Sequence, residues 1–169
     1  MRLILFIITL ILLVACSPNI KLFSDATSER FISRANKYVN MTDRKNRSEL
    51  QELMKLDPIK TEWCAAFINS ILELENVEGS GAVHRNPLLA RSFLAWGHTV
   101  RKDQIKRGDI VVFPRGTEGW QGHVGFYYGT TENGLWIILS GNYNGAVKYA
   151  VYRPNYAIGI RRAYKKSNP

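Results

Sequence analysis

Cys64, His123 and the asparagines Asn142 and Asn144 are the residues of this chain whose types and order can do covalent chemistry. A thiol can add to a carbonyl, an imidazole can take its proton, and a side-chain amide can hold the imidazole in place. Cys64 stands in Thr61-Glu62-Trp63-Cys64-Ala65-Ala66-Phe67-Ile68-Asn69, an amphipathic segment. With Thr61 as helix N-cap, Cys64 falls in the first turn. Unpaired N–H groups and the helix dipole there favour an anion, which lowers the expected pKa of the thiol. The same amides can hold an oxyanion during acyl transfer. The alternative is packing, because Cys64 shares a helical stripe with Ile68 and Ile71. Ala65 and Ala66 are small enough to let another surface approach the thiol.

His123 lies in Gly122-His123-Val124-Gly125, on a predicted strand whose positions 123, 125 and 127 share one face. Gly125 leaves a gap beside the imidazole that suits a helix end or a substrate. Asn133-Gly134 signals a hairpin. A two-residue turn there places Asn144 opposite His123 and Asn142 on the diagonal, so either amide can orient the ring. Ordinary turn chemistry is the competing explanation for both asparagines. His84 and His98 sit near loops without a comparable context. No histidine has Cys or carboxylate neighbours at ligand spacing, so no metal or other cofactor is expected.

The elements that must position these groups follow from periodicity. Residues 28–39 carry Phe31, Ile32, Ala35, Tyr38 and Val39 at helical spacing, and a second helix is predicted over Ser48–Leu56, stopped by Asp57-Pro58. A third runs from about Glu62 to Glu75. A fourth follows Pro87 through Phe93 and Trp96 and ends at Gly97. Five strands are predicted after that: Ile110–Phe113, His123–Tyr128, Leu135–Leu139, Val147–Tyr152 and Ala157–Tyr164. Helices first and an antiparallel sheet afterwards predict an α+β fold. No internal repeat or low-complexity segment is present.

Residues 1–15 read as a signal peptide: Arg2, then an apolar run from Leu3 to Val14, shorter than the roughly 20 residues of a membrane span. Leu13-Val14-Ala15-Cys16 is similar to a lipobox, which makes Cys16 the lipid attachment point. Residues 16–27 then form a tether, 28–164 one domain, and 165–169 a tail. With Cys16 lipidated, Cys64 is the one free thiol of the two cysteines, and no internal disulfide can form. The net charge of +9 suits anionic lipid or anionic wall polymer. The basic residues are scattered and accompany no nucleic-acid-binding motif, so that function class is set aside.

Four stretches carry a resemblance: Trp63-Cys64-Ala65-Ala66-Phe67, Leu89–Gly97, Gly108-Asp109-Ile110-Val111-Val112-Phe113, and Trp120-Gln121-Gly122-His123-Val124-Gly125-Phe126-Tyr127. Together they resemble the successive motifs of the NlpC-like superfamily of papain-type cysteine peptidases, in the branch with a Trp-Cys-Ala-Ala-Phe nucleophile motif. The resemblance runs from about Phe31 to Arg162. It implies a papain-like fold with the nucleophile helix packed on the sheet, Cys64 as nucleophile and His123 as base. It favours Asn142 as the orienting residue, because the family's Gly-Gly-Asn reads Ser140-Gly141-Asn142 here. Trp63 departs from the Asp-Cys-Ser sequence of the better-known members. Trp63, Trp120 and Tyr127 are candidates for a substrate groove, with core packing as the alternative.

The activity implied is hydrolysis of amide bonds in the stem peptides of peptidoglycan, by an enzyme lipid-anchored and facing the periplasm from the outer membrane, as Ser17 after the lipidated cysteine suggests. The rivals are a catalytically silent wall-binding or scaffolding lipoprotein and an acyltransferase or lipid-acting enzyme on the same fold. The anchoring expectation is checked by exchanging Cys16 for Ser. The variant should leave the membrane fraction and lose the mass of the acyl groups, whereas an unmodified Cys16 in the wild-type protein would exclude a lipid anchor.

Overall fold

The computed structural model describes residues 21–164, so Cys16 and the 165–169 tail lie outside the described residues. Three α-helices precede a six-stranded sheet. Helix α1 (Lys21–Asn36) presents Phe31, Ile32 and Ala35, all buried, as its periodicity predicts. It begins inside the segment expected to be a tether. No proline or glycine interrupts residues 21–27, so a helix nucleated by its buried face propagates toward the N-terminus at little cost.

Helix α2 (Arg47–Met54) buries Leu50 and Met54 one turn apart and ends at Lys55, whose backbone is left-handed. Helix α3 (Cys64–Leu74) is apolar through most of its length and packs against α1, α2 and the sheet. Its N-cap is Trp63, not the expected Thr61. The indole is wholly buried, edge-on to Phe67 at 6.4 Å between centroids. Burying so large an apolar side chain is worth more than the roughly 1 kcal/mol of a side-chain cap, and the helix starts where that burial requires.

The fourth predicted helix is 3-10 over Ala90–Ala95. A tertiary partner takes a group that an α-helix would use, as the carbonyl of Leu94 accepts from Arg161 Nε at 3.0 Å, and the wholly buried Ser92 fixes the segment by donating its hydroxyl to Ser80 Oγ at 2.7 Å.

The strands are β1 (His98–Thr99), β2 (Ile110–Pro114), β3 (Gly122–Thr130), β4 (Trp136–Ser140), β5 (Lys148–Tyr152) and β6 (Gly159–Arg162), in the order β1-β6-β2-β3-β4-β5 with every neighbouring pair antiparallel. The additional strand, β1, is two residues long and carries no periodic signal. One core lies between helices and sheet, around Phe31, Trp63, Phe67 and Phe126. A second gathers Val111, Phe113, Tyr127, Trp136 and Ile138. Asp109, with no exposed surface, receives Arg162 on both carboxylate oxygens at 2.7 Å and the Lys106 N–H at 2.8 Å. This bidentate pair ties β6 to the start of β2.

The β3–β4 hairpin departs from the expected two-residue turn. Thr131 N–H donates to the Leu135 carbonyl, leaving Glu132, Asn133 and Gly134 as a three-residue loop with Gly134 at φ +76°. That is a turn closed by a left-handed glycine. A bulge between Tyr127 and Gly129 shifts the ladder by one more residue. Each one-residue slip turns side chains to the other face, and two slips restore it. The observed register, Phe126 opposite Leu139, is therefore two residues away from the one expected, which placed Asn144 opposite His123.

Past the end of β4, Gly141 lies directly under α3. A Cβ there would stand 2.6 Å from Trp63 Cζ3 and 2.7 Å from Phe67 Cβ. Gly141→Ala should therefore cost about 1–3 kcal/mol of stability through overpacking, read as a lower midpoint in urea unfolding. Gly129→Ala, where a Cβ meets nothing within 4 Å, should leave the midpoint within about 0.5 kcal/mol of wild type.

Candidate active site

Cys64 is the first residue of α3, and the backbone N–H groups of Val124 and Ala65 interact with its thiol. Val124 follows His123 on β3, so the start of α3 lies against the strand that carries the imidazole. Both are 4% exposed. A cleft of about 190 Å³ opens on the imidazole, between Arg115, Asn142, Tyr143, Asn144 and Tyr152. The ring lies parallel to Tyr152, 6.1 Å between centroids and 17° between planes, and meets Tyr143 edge-on at 6.4 Å. Tyr152 in turn stacks on Phe113 at 4.3 Å.

His123 Nε2 is 2.9 Å from Ser140 Oγ. The amide expected to orient the ring is engaged elsewhere: Asn142 Nδ2 donates to Glu62 Oε2 at 2.7 Å, and Arg115 Nη1 reaches the same oxygen at 3.4 Å. The backbone supplies the reason. Asn142 adopts a left-handed conformation, φ 57°, and lies beyond the end of β4, whereas Ser140 is the last residue of that strand. The gap expected beside Gly125 is closed by β4 itself, since a Cβ there would meet Ile138 Cγ2 at 2.4 Å and Ser140 Cβ at 2.9 Å.

Of the groove candidates, Trp63 is wholly inside the core, and Tyr127 belongs to the second core against Trp136, its hydroxyl 2.6 Å from Thr130 Oγ1. Trp120 is 60% exposed on the loop before β3. Tyr143 and Tyr152, not singled out by sequence, supply the aromatic surface beside the imidazole. Their only sequence signal was position, one just after β4 and the other ending β5.

Burial also corrects the expected protonation states. It pushes the Cys64 thiol up from its usual 9.0, against the opposing influence of the Val124 N–H, Arg115 and the Ala65 N–H. His123 is lowered to about 4, first by burial and then by the Arg115 charge. At neutral pH the pair is a thiol and a neutral imidazole rather than an ion pair. Tyr152 is raised to about 12 by burial, with the neighbouring Tyr143 and Cys64 adding to the effect.

No protein-family model and no curated protein matches the chain. Solved structures do. The P60 domain of an antigen from M. avium subspecies paratuberculosis superposes with a TM-score of 0.56 at 19% identity, over 86% of this chain and 100% of that one. The fold is that of the NlpC/P60 proteins. NlpC1 from Trichomonas vaginalis gives a TM-score of 0.54 at 21% identity, over 82% of this chain and 45% of its own. A protein of Staphylococcus aureus described as similar to lipoprotein, NLP/P60 family, gives 0.57 at 15%, over 84% and 43%. The chain thus spans less than half the length of these last two NlpC/P60 proteins, and at such identities the likeness is one of fold.

The protonation states have measurable consequences for this domain. An imidazole lowered from 6.5 to about 4 stabilises the fold above pH 6.5, and that stability is lost as pH falls toward 4. At roughly 1.4 kcal/mol per pH unit, about 3 kcal/mol should disappear between pH 7.5 and pH 4 in urea unfolding. His123→Asn should flatten that dependence. Iodoacetamide should label Cys64 slowly at neutral pH and faster only above the ordinary thiol range, the reverse of what a helix-start thiolate alone predicts.

Proposed function

We propose that this protein is a cysteine peptidase or amidase that cleaves amide bonds in peptidoglycan stem peptides, held by lipidated Cys16 at a bacterial membrane, the outer membrane facing the periplasm. The observation that carries this reading is the placement of Cys64 at the start of α3 against the residue that follows His123, on a fold shared with a P60 domain.

The chemistry starts from neutral partners. Sγ attacks the amide carbonyl carbon while its proton passes to His123 Nδ1, since Nε2 is taken by Ser140. The N–H groups at the start of α3 face the developing oxyanion. The imidazolium then protonates the leaving nitrogen as the C–N bond breaks, and a thioester to Cys64 remains. A water molecule gives one proton to His123 and adds to the thioester carbonyl. The carboxylic acid departs, and Sγ recovers its proton. Burial of the pair makes the water-free site in which such transfers are strongest. The aromatic Tyr143 and Tyr152 beside the imidazole present flat apolar surface to an extended peptide.

The near-complete burial of the thiol is also what a silent scaffold would show, and one experiment separates the two. Mass spectrometry of muropeptides after digestion should show, with wild type and not with Cys64→Ala, new pairs of fragments whose masses sum to the parent plus one water. Identical profiles for the two would leave wall binding without cleavage.

A further inference from the structure

We propose that Ser140 is the positioning residue of this site: its hydroxyl accepts from His123 Nε2–H and thereby keeps Nδ1 bare for the Cys64 proton. The proposal rests on the thiol–imidazole reading of the preceding section but not on the identity of the substrate.

Ser140 Oγ lies 2.9 Å from Nε2, and Ser140 has no exposed surface. Among the described residues it is the hydrogen-bonding partner of the ring. A neutral imidazole carries one N–H. With that N–H on Nε2 and donated to Ser140, the lone pair is on Nδ1, where it can take the thiol proton. With the Ser140 hydroxyl donating instead, the N–H is on Nδ1 and the ring can accept nothing from Cys64. Tyr152 and Tyr143 fix the ring plane by stacking and edge contact, and Ser140 fixes its rotation within that plane.

The side chain beside Nε2 is not that of the asparagine favoured by the family motif. One amide N–H of Asn142 is given to Glu62 at 2.7 Å, its backbone is left-handed past the strand end, and the place beside Nε2 is filled by Ser140 Oγ. Asn142 instead ties the strand end to the residue two before the nucleophile. A hydroxyl also differs from an anionic partner in kind. It accepts a hydrogen bond without neutralising an imidazolium. The charged and titratable groups around His123 are Arg115, Cys64, Tyr143 and Tyr152, with Glu62 behind Asn142, and Arg115 disfavours the charged ring. Ser140 therefore selects tautomer and direction, while the proton moves only between Sγ, Nδ1 and the reacting groups.

The test uses the protein labelled with ¹⁵N-histidine. In the wild type at neutral pH, the His123 resonances should be those of the Nε2–H tautomer. In Ser140→Ala they should become a mixture, and Ser140→Thr, which keeps the hydroxyl, should restore them. On muropeptides, Ser140→Ala should lower kcat on the order of 10- to 100-fold with KM little changed, less than loss of the base, and Asn142→Ala should be milder. An Nδ1–H tautomer in the wild type overturns the proposal, and that measurement does not depend on any variant folding. So does a Ser140→Ala protein with unchanged tautomer and kcat, or an Asn142→Ala protein with the larger loss of kcat and the tautomer mixture. A wild type that cleaves no muropeptide but shows the tautomer change on Ser140→Ala would refute the substrate and leave the positioning role standing.

Discussion

The contact of Gly141 with Trp63 and Phe67 is the constraint on which the site depends. Only a residue without a Cβ lets the end of β4 run this close beneath the first turn of α3, where a methyl group would stand 2.6 Å from the indole. The close approach locates the helix start, and the helix start locates the thiol. Trp63, buried completely as the N-cap, acts as the peg that stops α3 from sliding along the sheet. Glu62 and Asn142 repeat the same connection on the rim with a hydrogen bond.

Holding Cys64 this tightly has an electrostatic consequence. A helix N-terminus favours an anion by roughly 0.3–1 kcal/mol at exposed sites and up to about 2 in partly buried ones. Taking a charge out of water costs several kcal/mol. At 4% exposure the second effect wins, so Cys64 is raised rather than lowered. The same burial, reinforced by Arg115, keeps His123 neutral. Both groups are therefore uncharged at neutral pH. Under that arrangement the tautomer of the imidazole matters more than its charge.

The sheet supports the site from the other side. Phe113 and His123 are register partners on β2 and β3, and Tyr152 from β5 covers both rings. The buried Asp109–Arg162 pair secures β6 on β2, where leaving either partner alone would strand a charge in the core. The Gly108-Asp109 motif, legible in the sequence as the entry to a strand, thus has its partner more than fifty residues later, in a segment whose basic residues looked merely scattered.

Local patterns in the sequence sufficed for the α+β order, the buried faces of α1 to α3 and the long central strands, because period 3.6 and period 2 are properties of neighbouring residues. The meeting of Cys64 with the strand of His123 followed from motif order. What needed the tertiary structure was whatever depends on counting across a turn or on competition for a partner. The hairpin loop and the bulge each moved the register by one residue, and no short-range signal distinguishes Asn133-Gly134 in a two-residue turn from the same pair in a three-residue loop. Asn142 matched the motif, but its backbone is left-handed and its amide donates to Glu62, and the side chain within hydrogen-bond distance of the imidazole is that of Ser140. Trp63 and Tyr127 could have lined a groove or filled a core, and the choice rested on which surfaces closed over them. A pKa belongs to this second group for the same reason: helix position is written in the sequence, but depth of burial is decided only when distant segments pack together.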